Sequence, residues 1–386
     1  MSAWLWSLRA LFAMEAASFA LLIPRIPDIR DALALSPSEL GVALLGIPIG
    51  SLAGFLVAPR VVRRLGSERV AWGGVAALAL CFALVGTVES LPPLVGALTL
   101  AGIGVAHTEI ALNAQASLLE ARSGRPTLSG GHGFWSLGSI VGVLGGGLLA
   151  QVGVPVMAQT ATTAALLVPC AFLVGRRLGR GPRAPTPRAM SLPPPALLPV
   201  CLMPVGVMAI EGVFMDWSAL FLTDTLAVDP FAASLGYLAF SVAMAGARLA
   251  GDRVTARIGL AAHAVASCAV AAGGSLVFAA AAQLPTALLG AFLAGLGAAS
   301  IYPIALGIAA RRPGAVEDNL AAVAFTSFLL LLGVPAAFGL LVEGAGQRGA
   351  FALVALLALP SALLAWRAAS ASPDGHRTES RSLECL

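Results

Sequence analysis

Lysine is absent: all 23 basic residues of the 386-residue chain are arginine. Charge of either sign is scarce, at 11% of residues against roughly 25% in soluble domains. Without lysine there is no Gly-x-x-x-x-Gly-Lys-Ser/Thr phosphate loop, so ATP-driven work by this chain alone is excluded. The four histidines and five cysteines have no metal-ligand or pairing spacing. Cys81, Cys170, Cys201 and Cys268 fall in apolar segments and read as small buried hydrophobes. No nucleophile stands beside a base in the sequence, so neither an enzyme, a cofactor nor a metal is expected. The arginines gather in short segments instead of along one face, which argues against nucleic-acid binding.

What remains is apolar: 58% hydrophobic residues and a mean hydropathy of +0.91. A spanning helix needs about 20 apolar residues. Punctuation by proline, glycine and charge predicts twelve, at 4–24, 38–59, 69–88, 92–120, 130–151, 154–175, 197–222, 232–251, 259–281, 285–310, 318–342 and 349–368. The apolar run from Met1 to Ile23 has only Arg9 as a basic residue and no small-x-small cleavage site, so it reads as the first membrane helix.

This is the pattern of an all-α membrane protein with two six-helix bundles, 1–175 and 197–369, a cytoplasmic linker at 176–196 and a polar, disordered tail at 370–386. Arg25, Arg30 and Arg348 stand alone on one side, whereas the other loops and the tail carry the remaining loop arginines. The positive-inside rule then sets both termini in the cytoplasm.

The stretch Gly246 to Gly259 reads as a tight loop between two spans, with Arg248, Asp252, Arg253 and Arg257. It has an earlier copy 193 residues before it, Phe55 to Gly66: Arg60 falls on Arg253, Arg64 on Arg257 and Gly66 on Gly259. Leu100–Ala106 matches Leu293–Ala299 at the same interval, and Ser36-Pro37 matches Asp229-Pro230. Two parallel six-helix repeats with a site between them is an architecture of secondary transporters.

Asp252-Arg253 followed by Arg257 and Gly259 resembles the loop signature of the major facilitator superfamily. Leu112-Asn113-Ala-Gln115, Gly131-His132-Gly-Phe-Trp135-Ser136 and Glu211 to Ser218 are similar to a bacterial branch of inner-membrane transporters that includes a membrane protein associated with rhizopine, an inositol derivative. The resemblance covers essentially the whole chain and implies the major facilitator fold. It also implies that the loop aspartate holds the two halves together on the cytoplasmic side when the cavity opens outward. The first copy departs from this, because Pro59 stands at the aspartate position. Glu317 or Asp318, near Arg60 and Arg63, is a candidate replacement, which makes Asp252, Arg253, Arg257, Arg60 and Asp318 the candidate gating residues.

Charged side chains near a bilayer centre are costly and mark functional pathways by default. Glu15, Glu109 and Glu211 are three such residues, on the first, fourth and seventh spans. The resemblance implies that these spans and the tenth line the cavity, and sugar/proton symporters of the superfamily use acids on the first and fourth. A medium of low dielectric favours the protonated form of a carboxyl group, which suits it to carry a proton. The alternative is that each glutamate is hydrogen-bonded to a neighbouring helix and only holds the bundle together.

Asn113 shares a helix face with Glu109. His107 lies about 200° round from Glu109 and is as readily a satisfied packing group as a proton relay. His132, Trp135, Ser136 and Ser139 form one stripe at helical spacing, suited either to a sugar ring or to loop contacts near Asp252. Gly138, Gly142 and Gly146 suit close helix packing. Asp216 and Trp217 read as outer-end residues, with Trp217 an interfacial anchor or gate. Pro303 and Pro335 should kink the tenth and eleventh spans, and Tyr302 aligns with Glu109 in the repeat.

The expectation is a proton-coupled secondary transporter of a small polar metabolite, sugar- or polyol-like, working by alternating access as a monomer in the bacterial inner membrane. A proton-coupled drug or metabolite exporter and a non-transporting membrane receptor are the alternatives.

Overall fold

The computed structural model describes residues 2–124, 127–180, 193–314 and 316–370. They form helices joined by short turns. In the first half these are α1 (Ser2–Ala20), α2 (Pro37–Leu65), α3 (Ser67–Val85), α4 (Leu91–Ser123), α5 (Leu128–Gln151) and α6 (Val156–Gly175). Short helical turns at Ile23–Arg25 and Ile26–Ala32 follow α1. The second half holds α7 (Leu198–Leu226), α8 (Pro230–Ile258), α9 (Leu260–Ala280) and α10 (Leu284–Ala310).

The remaining apolar stretch, Asp318–Ala368, is 51 residues long. At 1.5 Å per residue that is about twice the length needed to cross a bilayer once. Its helical path breaks at Gly346 (φ 68°, ψ 169°), which divides it into α11 (316–345) and α12 (347–370) and completes twelve crossings. The chain clusters into two compact units, Met1–Pro187 with Val228–Leu235, and Arg188–Ala227 with Gly236–Leu386. Of the expected linker, 181–192 lies outside the described residues, as does the tail beyond 370.

The repeat is visible in the backbone. Pro37 and Pro230, Ser67 and Leu260, and Leu91 and Leu284 each begin a helix, and each pair is 193 residues apart. Ser36 and Asp229 occupy matching N-caps. Ser36 Oγ accepts from Glu39 N at 3.2 Å within a capping box, and Asp229 Oδ1 accepts from Ala232 N at 2.9 Å. Gly66 (φ 93°) and Gly259 (φ 83°) make the same reversal, in a region open chiefly to glycine.

The expected loop at 246–259 is corrected. Helix α8 continues to Ile258, because no residue between Gly246 and Ile258 blocks helical hydrogen bonding, and only Gly259 turns the chain. Asp252, Arg253 and Arg257 therefore sit on the last turns of a helix.

Close approach by small residues holds each unit together. A methyl group on Gly138, Gly142 or Gly146 of α5 would overlap the backbone at Ala13 or Ala17 of α1 or at Leu21 just beyond it. Gly50 of α2 faces Thr99 of α4, Gly102 of α4 faces Ile47 of α2, and Ser51 Oγ donates to the Gly102 carbonyl at 3.1 Å. Lipid tails are as apolar as leucine, so helix association relies on such packing more than on burial from water. Gly290 and Gly297 of α10 meet the backbone of α9 at Phe278 and Ala271.

Two of the cysteine expectations change. Cys201 and Cys268 are buried, but Cys81 is half-buried and Cys170 is exposed, on helix faces that the chain itself leaves uncovered.

Replacing Gly138 with alanine is expected to lower stability by about 1–3 kcal/mol through overpacking against Ala13. Gly133→Ala, a position that opens on free space, is expected to be tolerated. Thermal unfolding of the two purified variants checks this, and equal midpoints would contradict the packing account.

Candidate functional site

In the first unit α1 presents Glu15, 5% exposed, and α4 presents Glu109, half-buried. The two carboxyl groups are close enough for their charges to interact, and among the described residues neither is ion-paired. One turn along α4, Asn113 Oδ1 is buried without a hydrogen-bond partner. A stranded acceptor of this kind costs roughly 1–3 kcal/mol. His107 does not join the group. Its Nδ1 lies 2.8 Å from the Ile103 carbonyl of its own helix, so that nitrogen carries the proton and the ring is satisfied locally.

The stripe on α5 divides. Trp135 is half-buried against the core built by Leu8, Phe12, Leu112 and Ala116, while His132 is exposed and its ring lies 5.3 Å from that of Phe12. Ser136 Oγ donates to the His132 carbonyl at 3.1 Å, and Ser139 is buried. Beside them the Arg9 guanidinium lies 5.0 Å from the Trp6 ring and 5.3 Å from the Phe134 ring. These are cation–π distances.

In the second unit Glu211 and Asp216 of α7 and Arg248 of α8 all lie within electrostatic reach of Tyr237 of α8, and Arg248 acts on Glu211 as well. Both acids and Tyr237 are half-buried. Helix α10 breaks between Ala298 and Ile301. Pro303 has no N–H to offer the Ala299 carbonyl, and Arg248 Nε faces that carbonyl instead at 3.5 Å. The expected kink at Pro335 is also present, as a break in α11 between Leu331 and Val334. Tyr302 follows the α10 break and is half-buried.

Trp217 is not an interfacial anchor. It is 2% exposed with its ring 5.1 Å from Phe338. Phe214, Trp217 and Phe221 recur at i, i+3 and i+7, and that face of α7 meets Phe240, Phe278, Phe338 and Phe351 in an aromatic core with ring centroids 4.5–5.4 Å apart.

Of the candidate gating residues, Arg60 Nη1 donates to the Leu56 carbonyl of its own helix at 2.9 Å, and Arg253 and Arg257 are exposed on the last turns of α8. Asp318 lies in the first turn of α11. The side chains of Asp252 and Glu317 lie outside the described residues.

Two polar centres escaped the sequence reading because their partners are remote in sequence. Gln115, fully buried, accepts from Trp4 Nε1 at 2.9 Å and donates to Ser67 Oγ at 2.8 Å and the Gly179 carbonyl at 2.9 Å. Arg25, 3% exposed, pairs with Asp28 at 2.6 Å and donates to Gln159 Oε1 at 2.9 Å and the Val154 carbonyl at 2.7 Å. The signal available for Gln115 was an amide inside an apolar span, since such a group must find partners within the protein.

Residues 10–315 match the Major Facilitator Superfamily. The chain belongs to that superfamily. Among its relatives are an uncharacterized transporter, y4wD, of Sinorhizobium fredii, 32% identical over 346 residues (88% of this chain, 92% of the relative), and an uncharacterized MFS-type transporter of Yersinia pestis, 29% identical over 356 residues (92% of each). Membrane protein MosC of Rhizobium meliloti is 26% identical over 280 residues, 72% of this chain and 69% of MosC.

Solved structures share the fold of this transporter. The nucleoside transporter NupG superposes with a TM-score of 0.75 at 12% identity, covering 95% of this chain and 98% of its own. A D-xylose-proton symporter gives 0.71 at 15% identity, covering 94% and 98%.

Gln115→Leu is expected to strand the Trp4 indole N–H and the Gly179 carbonyl and to lower stability by about 1–3 kcal/mol. An unchanged unfolding midpoint for the variant in detergent would contradict the role given to this amide.

Proposed function

We propose that this transporter moves a small polar metabolite, sugar- or polyol-like, across the bacterial inner membrane together with protons, as a monomer working by alternating access. The observation that carries the reading is the pairing of Glu15 with Glu109 beside the unpartnered Asn113 Oδ1. Two acids without a cation are suited to take up a proton, because burial of an unpaired carboxylate is costly. An amide acceptor on the same helix face suits the hydroxyl of a polyol. The D-xylose-proton symporter and the nucleoside transporter share this fold, which is compatible with cargo of this kind.

Glu211, Asp216 and Tyr237 supply the polar groups of the second unit, with Arg248 balancing one negative charge. The arginine distribution supports cytoplasmic termini.

In proteoliposomes tested against sugars, polyols and cationic drugs, substrate-driven proton movement is expected for a sugar or polyol. Glu109→Gln is expected to abolish it while leaving counterflow exchange measurable. Proton movement that survives the substitution would remove Glu109 from the coupling, and activity confined to the cationic drugs would favour the exporter reading.

Asp252 is assigned to gating on the strength of the loop signature. Asp252→Asn is expected to slow uptake more than any substitution of Pro59, and equal rates for Asp252→Asn and wild type would contradict the assignment.

A further inference from the structure

The second unit contains a cavity of about 480 Å³ bounded by the last turns of α8, the start of α9 and the broken half of α10. Its polar wall is formed by Arg248, Thr255, His263, Ser300 and Arg311. His263 is 7% exposed and Ser300 6%, and Thr255 Oγ1 shares a 2.7 Å hydrogen bond with His263 Nδ1. Among the described residues no carboxylate lines the cavity. Leu260, Ile304 and Ile308 give it an apolar side.

The two copies of the internal repeat place different side chains at this corner. The positions 193 residues earlier are Phe55 for Arg248, Val62 for Thr255, Val70 for His263 and Leu118 for Arg311. There Val62 and Val70 are buried in the core of the first unit and Leu118 packs against it. At these four positions the second copy carries two guanidinium groups, an imidazole and a hydroxyl, while Ala256, Leu260, Ser300 and Ile308 stand where the first copy has Arg63, Ser67, His107 and Gln115, so the polar groups occupy different places in the two repeats.

Guanidinium groups match phosphate oxygens in geometry and charge. The break in α10 adds the Ser300 hydroxyl at the same wall. Arg248, which also acts on Glu211, and Arg311 both line this wall. The cavity holds far more than one water, whose share of liquid volume is about 30 Å³, so there is room for a phosphate with a body attached.

We propose that this cavity is a binding site for a phosphate-class anion, either free phosphate or the headgroup of an anionic phospholipid whose apolar part lies along Leu260, Ile304 and Ile308. The site contains neither Glu15 nor Glu109, and it shares Arg248 with the polar groups of the second unit.

The test uses the full-length purified protein in nanodiscs of phosphatidylcholine, read by thermal unfolding without transport. One arm titrates inorganic phosphate, and the other replaces part of the lipid with phosphatidylglycerol. A rise in midpoint with phosphate assigns the site to the soluble ion, and a rise only with phosphatidylglycerol assigns it to the headgroup. In either case the rise should be lost in Arg311→Gln and in the double variant Thr255→Val/His263→Val, which restores the residues that pack in the first repeat.

A wild-type midpoint that moves in neither arm overturns the proposal, as does a rise that both variants retain. Should the variants not fold, histidine NMR of the wild-type protein decides: the ligand is expected to shift one of the four histidine signals, and an unaltered spectrum overturns the proposal.

Discussion

Every peptide group held in hydrocarbon must find its hydrogen bond within the chain, and this constraint shapes the rest of the molecule. It explains why the transporter is built of helices, and why helix ends and breaks attract long polar side chains. Asn319 donates to the carbonyls of Ala309 and Arg312 at 3.2 and 3.1 Å, where α10 ends. Gln159 donates to the Leu21 carbonyl at 2.9 Å, and Arg348 to the Ala279 carbonyl at 2.7 Å. Arg248 faces the carbonyl that Pro303 leaves open. Arginine and amide side chains thus meet carbonyls where helices stop, and Arg248 does so at the break in α10.

The same constraint gives meaning to the polar groups that seal nothing. Among the described residues Glu15 and Glu109 form no ion pair, and Asn113 Oδ1 accepts no hydrogen bond. Ser18 Oγ, Trp217 Nε1 and Ser218 Oγ are also buried without a hydrogen-bond partner, and what sets Asn113 apart is its place one turn from an acid that interacts with a second acid, the combination on which the proposed proton and polar-cargo site rests. The second unit is different in kind. Its acids share a field with Arg248 and Tyr237, next to an aromatic core that fixes α7 through Phe214, Trp217 and Phe221. The two halves have a common frame and different chemistry.

Much of this frame was legible in the sequence, because span ends are written locally in proline, glycine and arginine. Ser36-Pro37 and Asp229-Pro230 marked helix starts, and Gly66 and Gly259 marked reversals, all at the spacing of the repeat. The extent of α8 was misjudged since a run of arginines reads as loop when only hydropathy is followed, although alanine, leucine and arginine are good helix formers. Trp217 was misplaced because one aromatic residue in a span looks alike at an interface and in a core until its helix face is paired with others. Gln115 meets Trp4 and Arg25 meets Gln159, each more than 100 residues away, which no local pattern reveals. A position-by-position comparison of the repeats shows where polar groups differ beside α10, Val62 and Val70 giving way to Thr255 and His263 and Ser67 and Gln115 to Leu260 and Ile308, but the open volume between them is visible only in the structure.

The central claim is that proton movement drives polar cargo through this scaffold. Uptake of labelled polyols and sugars into wild-type proteoliposomes, under an imposed pH gradient and with and without a protonophore, tests it. Accumulation above the external concentration is expected for at least one such compound, collapsing when the protonophore is added. Uptake that only equilibrates the two sides, or accumulation indifferent to the protonophore, would contradict it.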